Sequence, residues 1–354
     1  MTSISYRFLQ PGRQPCPEPG RLYLDVGDAL EPGIIDHHHQ QGETACTALL
    51  VLRHPGMVRG QVTGTPDNRC LTIIVHANPD LDAVTSALFA SRIARDLPLA
   101  DSAGAWADYV CRIDRGETRL DPGQPITPYS LFMARMHLVR QTSPPHAELA
   151  MLEAGIDFVT AILASLEQGK RLGDNQWLEA DPAFLNERRF IREDYRRYRE
   201  DLARAECCRI RLPRSNGRGC APAPALFIDR PCSVLFKSWA RGDARAAGHE
   251  PGFIFTGIQL GPARHILSVD PDSGLWLKGL GSLLEERETV RRRQLGKERK
   301  GAPRPGYNSP DPWYDGRSPI HDYTIVDAPR SGTILTPEEI RAAVMEFSRG
   351  CEQP

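Results

Sequence analysis

The run RCLTIIVHANPDLDAVTSALFASRIARDL at 69–97 constrains the fold more than any other part of the chain. Leu71, Ile73, Ile74 and Val75 form an unbroken apolar stretch, the pattern of a strand buried on both faces. After a polar turn, Val84, Leu88, Phe89 and Ile93 recur at helical spacing, and the pattern stops before Pro98. Strand, polar turn and helix make the unit from which α/β domains with parallel sheets are built. In such sheets ligands bind beyond the carboxyl ends of the strands. The polar residues that follow each apolar run are therefore the ones to watch.

Two more runs end the same way. RLYLDVGD (21–28) predicts a short strand followed by Asp25 and Asp28, and GIIDHHH (33–39) ends in Asp36, His37, His38 and His39. TACTALLVLRH (44–54) has helical character with Thr44 as its cap. Segments 146–168 and 183–206 carry helical spacing. The second is crowded with charge, which reads as a solvated face laced with ion pairs rather than a surface for a phosphate backbone. From 209 onward short apolar runs return (RIRLP, ALFID, VLFKSW, GFIFTGIQL, HILSVD), then a charged helix at 282–300. The stretch GAPRPGYNSPDPWYDGRSP (301–319) is too rich in Gly and Pro for regular structure. The chain closes with TIVDAP, a turn and a helix from Pro337 that Thr336 caps. The expected architecture is α/β. It comprises a parallel-sheet metal-binding domain at 1–125, a helical connector at 126–206 and a smaller α+β substrate domain at 207–354.

Composition narrows the partners. The net charge of −1 supplies no global attraction to nucleic acid or membrane. No apolar run of signal-peptide length opens the chain, and none approaches the ~20 residues that span a bilayer. The nine cysteines are scattered without a CxxC pair, which favours a cytoplasmic, reduced protein. Cys207, Cys208, Cys220 and Cys232 lie close in sequence but fit no common zinc spacing.

The strand ends hold the chemistry. Hard divalent cations take carboxylate oxygen, and imidazole suits manganese, iron and zinc. His76, Asp80 and Asp82 fall at i, i+4 and i+6 of a strand-to-helix turn, a spacing that can aim all three at one point. Asp114, in DYVCRIDRGE, again follows an apolar stretch. Each segment alone reads as a turn or a helix cap. Their convergence points to a site for two divalent metals, which needs at least one bridging carboxylate.

These segments resemble the motifs of the DHH-family phosphoesterases. IIDHHHQ is similar to the DHH signature, VHANPDLDAVTSALFAS to the opening motif, YLDVGD to the strand-end Asp motif and RIDRGE to the last Asp motif. The resemblance covers about residues 20–120. It implies two metals, Mn²⁺ first and Mg²⁺ second. His76 and Asp80 would hold one metal; Asp82, His37 and Asp114 would hold the other; Asp25, or Asp28 as its alternative, would bridge. It implies further that Asp36 orients His37 and that His38 faces the scissile phosphate, while His39 has no assigned role. One departure is plain. In the family the His-x-x-x-Asp-x-Asp motif precedes DHH, whereas here Asp36-His37-His38 comes first, so the domain looks circularly permuted.

The second half resembles the family's C-terminal substrate domain more faintly, in SVDPDSGLWLKGLGSLLEERE and GYNSPDPWYDGR. Arg317 and His321 are candidates to bind phosphate, and Trp313 and Tyr314 to stack a base. The alternative is that the aromatics plug the domain and Arg317 pairs with Asp315 or Asp311. Lys237 and Arg241 are weaker phosphate candidates. The implied function is two-metal hydrolysis of a phosphodiester in a nucleotide or short single-stranded nucleic acid, with a homodimer open. The rivals are a phosphoanhydride hydrolase acting on polyphosphate or pyrophosphate, a catalytically silent nucleotide-binding sensor, and a one-metal zinc hydrolase. On this reading Asp82→Ala abolishes hydrolysis and leaves the fold intact.

Overall fold

The computed structural model describes residues 2–10, 13–37, 45–143, 147–299, 307, 309–318 and 321–351. It divides into two units, one of 1–115 with 126–191 and one of 116–125 with 192–354. The segment read as a helical connector, 126–206, is thus split between them.

The first unit opens with strands β1 (Ser3–Leu9), β2 (Arg21–Leu24), β3 (Leu30–Glu31) and β4 (Ile34–Ile35). Helices α1 (Thr47–Arg53) and α2 (Pro55–Gly60), strands β5 (Thr63–Thr65) and β6 (Asn68–His76), and helices α3 (Leu81–Ala94) and α4 (Ala103–Asp114) follow. Helices α5 (Pro128–Thr142), α6 (Ala147–Glu167) and α7 (Gln176–Ala180) come next, with α8 (Leu185–Arg204) running from this unit into the other. The sheet order is β1-β6-β2-β4-β3, with β5 paired to β6 off this path. The β1-β6, β6-β2 and β2-β4 pairs are parallel, while β3 and β5 pair antiparallel. The sheet is therefore mixed around a parallel centre, not purely parallel as expected. β6 lies at that centre, which explains its continuous apolar run: Ile73 and Val75 are fully buried and Ile74 nearly so.

Helix α3 is buried almost all round; of its residues only Arg92 escapes burial. It packs against β6 and is flanked by α1, α4 and α6. Gly155 of α6 permits this closeness. A Cβ there would stand 2.8 Å from Val84 Cγ2 of α3 and 3.0 Å from Met136 Cε of α5. Among the described helices α6 alone is long and apolar enough, by length and composition, to cross a membrane, a property the sequence reading missed. Here it buries Met151, Leu152, Phe158, Val159 and Ile162 within the unit.

The second unit contains β7 (Glu206–Pro213), β8 (Cys220–Asp229), α9 (Phe236–Gly242), α10 (Ala244–Ala247), β9 (Phe255–Gly261) and β10 (Arg264–Val269). It closes with α11 (Leu280–Gln294), β11 (Ile325–Asp327) and α12 (Pro337–Gly350). Its sheet runs β11-β10-β9-β8-β7, parallel only between β8 and β9. Leu280, Leu284, Ile340 and Val344, from α11 and α12, close the core over Ile210, Phe255 and Leu267. Thr336 caps α12 in a reciprocal pair with Glu339, as its sequence predicts. The β7–β8 register sets Cys208 opposite Ala225 and Cys220 opposite Pro213, at opposite ends of the hairpin, so these cysteines do not converge on a zinc ion.

Candidate metal centre

Asp25 follows β2 directly and His76 is the last residue of β6. These strands are parallel neighbours, so both residues emerge at the same edge. Asp36 follows β4, the next strand along. The loop after β2 is held in unusual backbone. Asp25 and Asp28 take left-handed φ values of 58° and 55°, a conformation common at sites where a side chain must be aimed.

Two groups of potential ligands result. Asp25, His76 and Asp80 form one; Asp25, Asp36 and His37 form the other. Within each group one ligand atom per residue lies within 4.8 Å of the others, and Asp25 belongs to both. His76 Nε2 is 3.1 Å from Asp25 Oδ2 and 3.6 Å from Asp80 Oδ2. His37 Nδ1 is 3.2 Å from Asp36 Oδ1. Asp36 also accepts from the Asp28 amide at 2.7 Å, tying the β2 loop to the β4 end. Asp28 falls in neither group.

Asp80 and Asp82 are also structural. Asp80 is the N-cap of α3 and accepts from the amides of Asp82 and Ala83, both at 3.0 Å. Asp82 is 2% exposed, and its two oxygens accept from the Thr47 and Ala48 amides at 2.8 Å each, closing the start of α1. The Thr47 hydroxyl approaches Asp25 Oδ1 at 3.5 Å. Sequence reading missed Thr47, because it set the cap of this helix at Thr44, outside the described residues. Asp114 is the last residue of α4, not a strand-end residue as read from the sequence. Its Oδ2 is buried without a hydrogen-bond partner among the described residues. Three residues earlier, Cys111 is joined in a disulfide to Cys46, immediately before α1. Two thiols read as reduced thus fasten α4 to α1.

Electrostatics argue for a cation. Burial, Asp80 and Asp36 push Asp25 up to about 7, against the lowering effect of His76. Burial raises Asp82 and Asp114 well above the usual carboxylate range, and the charge of Asp25 raises both further. At Asp80 burial acts in the same direction, but the hydrogen bond from His76 and its charge outweigh it and leave the group lowered. His76, despite its burial, is raised to about 11 by hydrogen bonds to Asp25 and Asp80. Carboxylates whose charge is disfavoured by burial first, and by one another second, are relieved by positive charge placed among them. Each group offers two carboxylates and one imidazole, donors that a divalent cation can take. His38 and His39 lie outside the described residues.

The substrate candidates all fall in the second unit, and several have structural work. Trp313 is 1% exposed in the core, so it plugs the domain and cannot stack a base. Arg241 is 2% exposed and donates to the carbonyls of Gly116 and Val269 at 2.7 and 2.6 Å, so it is not a phosphate ligand. Arg317 pairs with Asp315 at 2.7 Å and lies 4.2 Å from the Tyr307 ring centre, the alternative its sequence offered. Tyr314 packs edge-on to His321 at 6.1 Å and pairs with Asp327 across a bridge. Lys237 is part-buried. Burial first, then the Arg241 charge, push its ammonium down to about 8 against the opposing effect of Asp327.

No family model, curated protein or solved structure matches the chain.

Proposed function

We propose that the first unit holds two divalent cations and hydrolyses a phosphodiester, in the manner of a DHH-type phosphoesterase with permuted motif order. The observation that carries this reading is the pair of ligand groups that share Asp25. A shared carboxylate is what a two-metal site needs. His76 and Asp80 would hold one cation, His37 and Asp36 would serve the other, and Asp82 and Asp114 would add charge beside it. Bound there, the cations would lower the pKa of an attacking water and neutralise charge on the phosphoryl oxygens. The chain's own work is orientation. The Asp36 carboxylate accepts from the His37 amide and lies 3.2 Å from its Nδ1, the amides of α1 hold Asp82, and the cap at Asp80 fixes the turn after β6. A nucleotide or short single-stranded nucleic acid is the proposed substrate class.

The test is to strip the protein with chelator, restore Mn²⁺, and assay a labelled short oligonucleotide and an aryl phosphodiester alongside pyrophosphate. Metal-restored cleavage of the diesters, lost in Asp25→Asn together with bound manganese, is the expected result. Cleavage of pyrophosphate alone would assign a phosphoanhydride hydrolase. Two bound metals without cleavage would assign a sensor. No metal bound by the wild type after Mn²⁺ is restored would overturn the centre.

A further inference from the structure

The second unit carries a cationic and aromatic surface that the candidate site does not use. In the turn between β7 and β8, Arg214 and Arg218 are exposed. This turn is fastened to the segment before α11. Ser215 donates to the Gly274 carbonyl at 2.9 Å, Trp276 donates to the Pro213 carbonyl at 3.1 Å, and Arg214 bridges Leu275. From that segment rise half-buried Trp276 and exposed Lys278. Tyr323 completes the patch. Its ring meets Trp276 edge-on at 5.7 Å, and Lys278 Nζ lies 4.9 and 5.3 Å from the two ring centres.

Two features separate this patch from an ordinary solvated face. Among the described residues, none of Arg214, Arg218 and Lys278 pairs with a carboxylate, whereas many other arginines of this unit do, including Arg119, Arg287, Arg292, Arg299 and Arg341. Of the acidic neighbours, Asp272 is taken by Arg119 at 3.0 Å and Asp322 is exposed. Second, Tyr323 is held at φ +57° by its amide's bond to the Gly316 carbonyl and by the Leu277 amide on its own carbonyl, both at 2.8 Å. A bulky residue in left-handed backbone needs such support.

We propose that Trp276, Tyr323, Lys278, Arg214 and Arg218 form a docking platform for single-stranded nucleic acid. The cations meet phosphates, and a base stacks on the Trp276–Tyr323 pair with Lys278 lifted off the rings onto the backbone. Charge complementarity selects a polyanion; the aromatic pair selects one that has π faces. The proposal rests on the nucleic-acid substrate suggested for the first unit but concerns binding, so it can be tested with hydrolysis switched off.

The experiment is fluorescence anisotropy of a labelled twelve-nucleotide deoxythymidine oligomer on the full chain in chelator. The wild type is expected to bind, more weakly with rising salt. Trp276→Leu should weaken binding ~10-fold while Trp276→Phe retains it, and Lys278→Ala should lower the magnitude of the salt slope by about one. Circular dichroism and manganese content should match the wild type in all three variants. Absence of binding by the wild type, equal affinity in Trp276→Leu, or displacement of the oligomer by base-free polyphosphate at equal phosphate concentration would each overturn the platform. Failure of Mn²⁺-dependent hydrolysis with these effects intact would overturn only the catalytic reading.

Discussion

At the scale of single residues, the chain places several groups where their charge is costly and leaves different means of relief. At the candidate metal centre, Asp25 and His76 relieve each other only in part, and a cation would complete the balance. Lys237 has no such arrangement. Its folded pKa, about 8, lies below the ordinary lysine value of 10.5. The folded state therefore binds this proton less tightly than the unfolded state. Between pH 8 and 10.5 the unfolded chain carries the extra proton, and the wild type gains stability as pH rises through that window. Lys237→Met should stabilise the protein at pH 7, on the order of 1–2 kcal/mol, and the gain should vanish by pH 10.5. Urea unfolding at both pH values checks it, and a gain independent of pH would refute the linkage.

At the scale of elements, capping and catalysis share side chains. Asp82 closes the start of α1 with both oxygens, so Asp82→Ala should loosen the fold, where the sequence reading expects it to stay intact. Removing it strands two amides and should cost ~1–3 kcal/mol. Asp82→Asn, which keeps one acceptor, should cost less. Denaturation of both variants beside their manganese content separates the structural role from ligation; equal stability of wild type and alanine variant would remove the capping role. The contact between α6 and α3 is a second case. Gly155→Leu should destabilise by ~1–3 kcal/mol because Val84 and Met136 occupy the space a side chain needs. A neutral result in the same unfolding assay would mean that α6 can shift away from α3.

At the scale of the whole molecule, two units with separate cores predict two steps in calorimetric unfolding. The proposed ligands all belong to the first unit, so Mn²⁺ should raise one transition and leave the other in place. A hundredfold excess over Kd stabilises the binding unit by ~2.7 kcal/mol per site. A single transition, or equal movement of both, would show that the units unfold as one.

The sequence by itself determined the strand ends. An unbroken apolar run such as Leu71–Val75 suits a centre-sheet strand, and Asp25, Asp36 and His76 each follow such a run, so their meeting at one edge was legible from pattern alone. Thr336 was equally legible as a cap, because capping is a local bond between residues two or three apart. The tertiary structure alone decided the rest. Asp82 is turned toward α1, far from it in sequence; Asp114 arrives from a helix rather than a strand; Cys46 and Cys111 meet across 65 positions. Trp313 read equally as a stacking ring or a core plug, and Arg241 as a phosphate ligand, because an aromatic or a guanidinium looks the same in sequence whether it faces solvent or core. Only the packing of α11, α12 and the 116–125 segment against the second sheet gives each a buried partner, and burial is a property of the neighbours, which a local pattern does not contain.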